Sequence, residues 1–409
     1  MTAPPLSGPE QSRTVSRRGL LLGGGAFAGG AIASGAIVSA LQGATSVTAS
    51  AQPTTASQSR SPSPYGAHQA GIARPGTPQP HGLVRVFDLA VVDRDTISAA
   101  LRSVQNVIER ATDTPLHDPE LFADGPGDLT VTVGIGPRLV RSLHPSTPGA
   151  DDMPTFQGDD GIEPTMIGGD LFVAAYGSDP GQLDAVFAAI DNAVGDGGPI
   201  GSVRYTQRVY RGPGSGTIVR NPLGFHDGIV VPEGADELDE NVWISDGPAQ
   251  GGTICVVRRL RLARAEFGSL DVSEREAIVG RKQASGAPMS GGRLHDEADL
   301  GAKTPEGEFL IPLRSHVRAA HPTFTGSALM LRRGYAFDNG VAAGGTDGVA
   351  DAGLMFICFQ NELDVFTRTQ RRLDEVDALM AFATPTASGT FLILPGFDSD
   401  RALGASLLG

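Results

Sequence analysis

From Gly82 onward, apolar residues recur with two spacings: every second position over short runs, and every third or fourth over longer ones. Leu83-Val84-Arg85-Val86-Phe87-Asp88-Leu89 alternates as a strand does, and residues 95–111 carry an amphipathic helical pattern. Residues 129–135, β-branched at alternate positions, predict a second strand, and residues 170–176 a third. Asp179-Pro180 follows at once. An acid placed to cap and a proline suited to a first turn predict a helix through Ile190.

The later part of the chain repeats this unit. Residues 252–261 read as a strand, 273–280 as a helix, 354–359 as an apolar strand followed by a helix over 363–373, and 391–394 as a last strand. Two strand-helix-strand sets predict a duplicated α+β architecture with antiparallel sheets, one domain over 81–223 and a second over 224–409.

Ahead of these domains the pattern changes. Ser16-Arg17-Arg18-Gly19-Leu20-Leu21 precedes a mildly apolar, Gly/Ala-rich stretch and then the small-residue pattern Ala49-Ser50-Ala51, which resembles a twin-arginine export signal over residues 1–51. Glycines at 23–25 and 29–30 dilute the apolar stretch and argue against a membrane anchor. Residues 52–80, rich in Ser, Pro, Thr and Gln and without periodicity, read as a disordered tether. The expected destination is the periplasm, cell envelope or exterior, reached through the twin-arginine machinery.

Composition narrows the chemistry. A chain of 409 residues, 40% hydrophobic, has enough apolar surface for two cores. Lys and Arg number 32 against 46 Asp and Glu, a net charge of −14, which disfavours nucleic acid as a partner. Cys255 and Cys358, the only two cysteines, make neither a disulfide scaffold nor a four-cysteine zinc site, and no C-x-x-C-H is present for covalent haem. Both lie in predicted strands and read as buried fillers, with a disulfide left open. No G-x-S-x-G, Walker loop or H-E-x-x-H occurs. His316 and His321 are five residues apart, about 140° on a helix, and would not share an ion. A lone histidine can still serve as the single axial ligand of a haem iron. Two further clusters are bland when taken singly: Gly224-Phe225-His226-Asp227-Gly228, a tight turn around a carboxylate, and Arg332-Arg333-Gly334-Tyr335 behind an apolar run.

Taken in order, these clusters with Gly280-Arg281-Lys282, Ser285-Gly286-Ala287-Pro288, His316-Val317-Arg318, Phe359-Gln360-x-x-Leu363 and Phe391-x-x-Leu394-Pro395-Gly396 resemble the dye-decolourising (DyP-type) haem peroxidases across residues 83–398. The resemblance implies two ferredoxin-like domains and one haem b per chain, held in the second. His316 would be the axial iron ligand, with Asp227 and Arg332 on the opposite face where peroxide binds. Gly228, Ile229, Val230 and His321 would line the cofactor, and Glu362 would supply the carboxylate on His316. A carboxylate shuttle favours an acidic optimum. Where the family follows Asp-Gly with Thr-x-Asn-Pro, this chain has Ile229-Val230-Val231-Pro232, removing a hydroxyl and an amide from the haem edge. The implied activity is oxidation of dyes, phenols or similar bulky donors by hydrogen peroxide. The alternatives are an exported haem-handling protein of iron uptake, similar to deferrochelatases, and a non-catalytic haem carrier. A homo-oligomer is left open.

Overall fold

The first half builds β1 (His81–Leu89), α1 (Arg94–Thr112), β2 (Thr130–Ile135), α2 (Pro137–Leu143), β3 (Leu171–Gly177), α3 (Pro180–Ala193) and β4 (Gly201–Tyr210). The computed structural model describes residues 62–113, 117–195, 200–341 and 350–409. Asp93 caps α1 by accepting from Thr96 N, and Asp179 caps α3 with Pro180 in its first turn. The strands lie in the order β4-β1-β3-β2, all antiparallel, which is the ferredoxin-like arrangement.

A small sheet of β5 (Gly214–Ser215), β6 (Ile218–Arg220) and β7 (His226–Asp227) leads through α4 (Gly234–Asn241) into the second half. There β8 (Thr253–Leu262) precedes α5 (Arg264–Ser269) and α6 (Val272–Val279), and the short turns α7 (His316–Ala319) and α8 (Pro322–Thr325) follow. Next come β9 (Leu331–Arg332), β10 (Tyr335–Val341), β11 (Ala350–Gln360), α9 (Leu363–Val376), β12 (Ala383–Ile393) and α10 (Ala405–Leu408). The order β12-β8-β11, with β9 and β10 along the far edge of β11, repeats the first half.

The two sheets do not remain separate. β2 pairs with β12 through Ile135–Leu392 and Gly134–Ile393, and β4 pairs with β10 through Tyr210–Ala336, so the strands close into a ring. Inside it lie Val84, Val86, Phe172, Val257, Phe337, Ile357, Phe391 and their neighbours. A large apolar layer covers the outer face of the first half beneath α1, α2 and α3. The outer face of the second half carries only the smaller cluster of Phe156, Val256, Met330, Cys358, Val365 and Phe366.

The expected tether is corrected over its described part. Residues 62–80 are packed against both halves. The Gln69 amide donates to Val133 O and Leu394 O (2.8 Å each) and accepts from Val133 N, while Ile72 lies within the ring core. His68 stacks on Trp243 at 3.8 Å. Polar composition concealed a strap whose few anchoring side chains are buried. The proposed signal lies outside the described residues. Cys255 and Cys358 are both buried and unbridged: neighbouring strands place Cys255 in the ring interior and Cys358 on the outer face.

Ile72→Ala should lower stability by about 2–5 kcal/mol, the usual range for truncating a fully buried aliphatic side chain. Thermal and urea unfolding measure it, and an unchanged melting temperature would show that the strap is not part of the cooperative fold.

Candidate active site

His316 opens α7, a single turn that would be marginal alone. Its neighbours hold it. Ser315 Oγ donates to Pro312 O (2.8 Å), and the buried Arg318 donates to Leu300 O (2.6 Å) and Ile311 O while stacking on Phe309. His316 Nδ1 donates to Asp377 Oδ2 at 2.7 Å. Asp377 is fully enclosed, and its other oxygen accepts from Leu379 N (2.8 Å) in the turn that follows α9. A carboxylate only accepts here, so the proton sits on Nδ1 and the lone pair on Nε2. Burial pulls the imidazole toward neutrality, but the adjacent Asp377 charge and hydrogen bond outweigh it and hold its pKa above the ordinary value.

Asp227 and Arg332 act on the same imidazole, the first raising its basicity and the second lowering it. They come from elements far apart in sequence. Asp227 ends β7 and is fixed by Gly228 N donating to its Oδ1 (2.7 Å); Gly228 has φ +83°, a left-handed conformation that favours glycine. Arg332 ends β9, donates through Nη1 to Val230 O (2.7 Å), and holds Nη2 3.8 Å from Asp227 Oδ1. The departure after Gly228 is thus partly answered by the backbone: the loop reaches Arg332 through a carbonyl, and Val230 itself is exposed. Gly334 lies beside the pair, where a Cβ would sit 4.0 Å from Asp227 Oδ2, an ordinary contact distance. The pKa of His226, on the opposite face of β7, is lowered by burial and by the nearby Arg220, and its Nδ1 has no hydrogen-bond partner among the described residues. Its ring packs against Gly286, where a Cβ would lie 2.8 Å from His226 Nδ1.

Asp227, Gly228 and Arg332 therefore share one cleft wall, with Ile229 and Val230 next in the chain, and His316 lies within reach of the charges of Asp227 and Arg332. His321 caps α8 by accepting from Thr323 N (3.2 Å). The expectation for Glu362 is corrected: the carboxylate on His316 is Asp377, whereas Glu362 begins α9 and lines a separate hollow with Ser327, Asn361 and Arg368. The missed signal was an acid positioned to cap the turn after a helix.

The donor set fits haem. Among the described residues no three His, Cys, Asp or Glu side chains cluster to hold a bare metal ion. One imidazole with an available nitrogen, backed by a buried carboxylate, suits an iron that brings its other equatorial ligands with it.

Two family models match, "Dyp-type peroxidase, N-terminal" over residues 69–210 and "Dyp-type peroxidase, C-terminal" over 219–398. The chain is 34% identical to a dye-decolorizing peroxidase of Thermobifida fusca over 84% of each chain. It is 30% identical to a deferrochelatase of Yersinia pestis, again over 84% of each. Its structure is similar to that of a DyP-type peroxidase from Streptomyces coelicolor, with TM-score 0.78 and 31% identity over 88% of this chain and 100% of that one. A DyP-type peroxidase from Cellulomonas bogoriensis gives TM-score 0.77 and 32% identity over 86% and 99%. The chain belongs to the Dyp-type peroxidase family. It is a haem-dependent peroxidase with haem b as cofactor, a member of a family that uses hydrogen peroxide and an organic reductant.

Asp377→Asn should cut haem affinity or turnover by roughly 10–100-fold, the usual effect of removing the partner of a metal-bound histidine. Glu362→Gln should change neither. Haemin titration followed by the Soret band measures both, and the reverse pattern would return the role to Glu362.

Proposed function

We propose that His316 would hold the haem iron through Nε2, and that Asp227 and Arg332 would handle the peroxide. The supporting observation is the convergence of the three: Asp377 directs the His316 lone pair outward, and the Asp227–Arg332 pair acts on the same imidazole.

Haem, when bound, supplies the iron at which the peroxide O–O bond is cleaved by reduction. Asp227 takes the proton from one peroxide oxygen and returns it to the other, so that this oxygen leaves as water. The guanidinium of Arg332 faces the negative charge that develops as the bond breaks. Asp377 fixes the plane and tautomer of His316 and adds anionic character to its ring. Bulky phenols or dyes are the donors this reading assigns, in line with the name of the Thermobifida fusca relative. The deferrochelatase relatives support a second reading, in which iron leaves and the tetrapyrrole remains intact. Anaerobic incubation with haem and analysis of the pigment separates them: recovered metal-free porphyrin favours iron release, and peroxide-dependent dye oxidation favours the first reading.

Asp227→Asn should lower kcat/KM for peroxide by about 10²–10⁴-fold, the range of general acid–base contributions, with the Soret band retained. His316→Ala should lose that band. Wild-type rates in the Asp227→Asn protein would exclude the shuttle. We also propose export through the twin-arginine route, on the Arg17-Arg18 pattern. Replacing both arginines by lysine should leave the protein inside the cell, as fractionation would report.

A further inference from the structure

Many arginines of this chain pair with acids, as Arg85 does with Asp191 and Arg258 with Asp159. Arg211, Arg220 and Arg333 form no ion pair among the described residues and are held by backbone carbonyls instead. Arg211 donates to Pro78 O (3.0 Å), Gly216 O (2.9 Å) and Thr217 O (3.1 Å). Arg220 donates to Gly224 O (2.6 Å), Gln283 O (2.8 Å) and Ala284 O (3.1 Å). Arg333 donates through Nη1 to Ile72 O and Pro75 O, while its buried Nε and Nη2 make no well-formed hydrogen bond and have the Tyr335 phenol beside them.

All three line one small cleft, partly open to solvent, whose walls also include Asp227, Gly228, Arg332 and Gly334. Four arginines and a single carboxylate thus share the walls of one cleft, in a chain whose net charge is −14. Carbonyl partners fix a guanidinium in place without neutralising it, and a half-buried cation without a counter-charge is costly. The missing complement is an anion with several acceptor oxygens, which the fork of an arginine matches in geometry as well as charge. Arg211 and Arg333 lie close enough to repel each other, and burial lowers the pKa of both.

We propose that this cleft is a binding site for a small oxyanion carrying a carboxylate, phosphate or sulfate group. Its occupant would lie beside Asp227 and Arg332, adding negative charge where the peroxide proton is to be taken and offsetting part of the guanidinium field. Bound anion therefore slows the peroxide step. That consequence rests on the proton-transfer reading of Asp227; the binding itself does not.

The test titrates the haem-loaded protein with sodium sulfate at constant ionic strength, balanced with sodium chloride, and follows heat by calorimetry. Wild type should give a saturable one-site isotherm. Arg211→Gln should weaken it about tenfold or more, as expected for loss of a charged hydrogen-bond donor, and Arg372→Gln on α9 should not change it. Arg211 is the variant of choice because it is only partly buried, whereas Arg333 is buried and anchors the strap at both Ile72 and Pro75. No saturable heat, or equal affinity in Arg211→Gln, overturns the site. In parallel, sulfate should lower kcat/KM for peroxide with the same half-saturation and an unshifted Soret band. Binding that leaves peroxide kinetics untouched keeps the site and overturns its coupling to Asp227.

Discussion

Two open sheets, each with two unsatisfied edges, hydrogen-bond to one another, and the remaining features of the molecule are arranged around that closure. A ferredoxin-like half in the order β4-β1-β3-β2 leaves β4 and β2 as edges, and the second half leaves β12 and the β9–β10 line. Exposed edges invite pairing. Here each finds the other half, through short junctions at Gly134–Ile393, Ile135–Leu392 and Tyr210–Ala336. The enclosed core then draws on both halves: Phe172 stacks on Phe391 at 4.9 Å and Tyr176 on Tyr335 at 5.2 Å. Neither half alone would bury its inner face.

Closure also sets the geometry of the site. To reach β4, β10 must leave the line that β9 follows along β11, and the break falls at Arg333-Gly334. Consecutive side chains of a strand point to opposite faces. Arg332 therefore emerges on the outer face toward Val230 and Asp227, while Arg333 turns inward to the strap at Ile72 and Pro75. The doublet is one device with two outputs, one for the outer site and one that ties the strap to the ring. The thin apolar covering of the second half follows the same division, since α9 alone packs on the apolar cluster of that face, whereas α1, α2 and α3 cover the first half.

The strands and helices with clean periodicity were legible in the sequence, because burial on one face forces the alternation that reveals them. β4 was not: Gln207 stands at an inward position between Tyr205 and Val209 and breaks the apolar alternation, and it is tolerated there because it accepts from Arg259. The start of β12 was hidden by Pro385, where the register with β8 shifts. In the site, Asp227, His316 and Arg332 were marked by short glycine- and arginine-rich motifs whose backbone demands are local. Asp377 carried no such mark. Its place depends on where α9 ends relative to α7, a tertiary fact, and Glu362 is likewise an acid at an end of α9. The strap was misread for a related reason: a segment anchored by Gln69, Ile72 and a stacked His68 has the composition of a tether.

Two aspartates meet the chemistry of one imidazole, and their surroundings divide the work between them. Asp377 has no exposed surface, and both its oxygens are engaged, one by His316 Nδ1 and one by Leu379 N. It can orient and polarise, but it has no path along which to exchange a proton with a bound substrate. Asp227 has a side chain 36% exposed and is held through Oδ1 by Gly228 N, which leaves Oδ2 beside Gly334. Its separation of 3.8 Å from Arg332 is too long for a tight ion pair, so Arg332 does not consume the carboxylate it accompanies. A closer pairing would bind the acid to the cation and engage both with each other. The Val230 carbonyl prevents that by holding Arg332 Nη1 from the side. The same economy governs the neighbouring cleft, where carbonyls rather than acids hold the guanidiniums, and positive charge is kept in place without being cancelled.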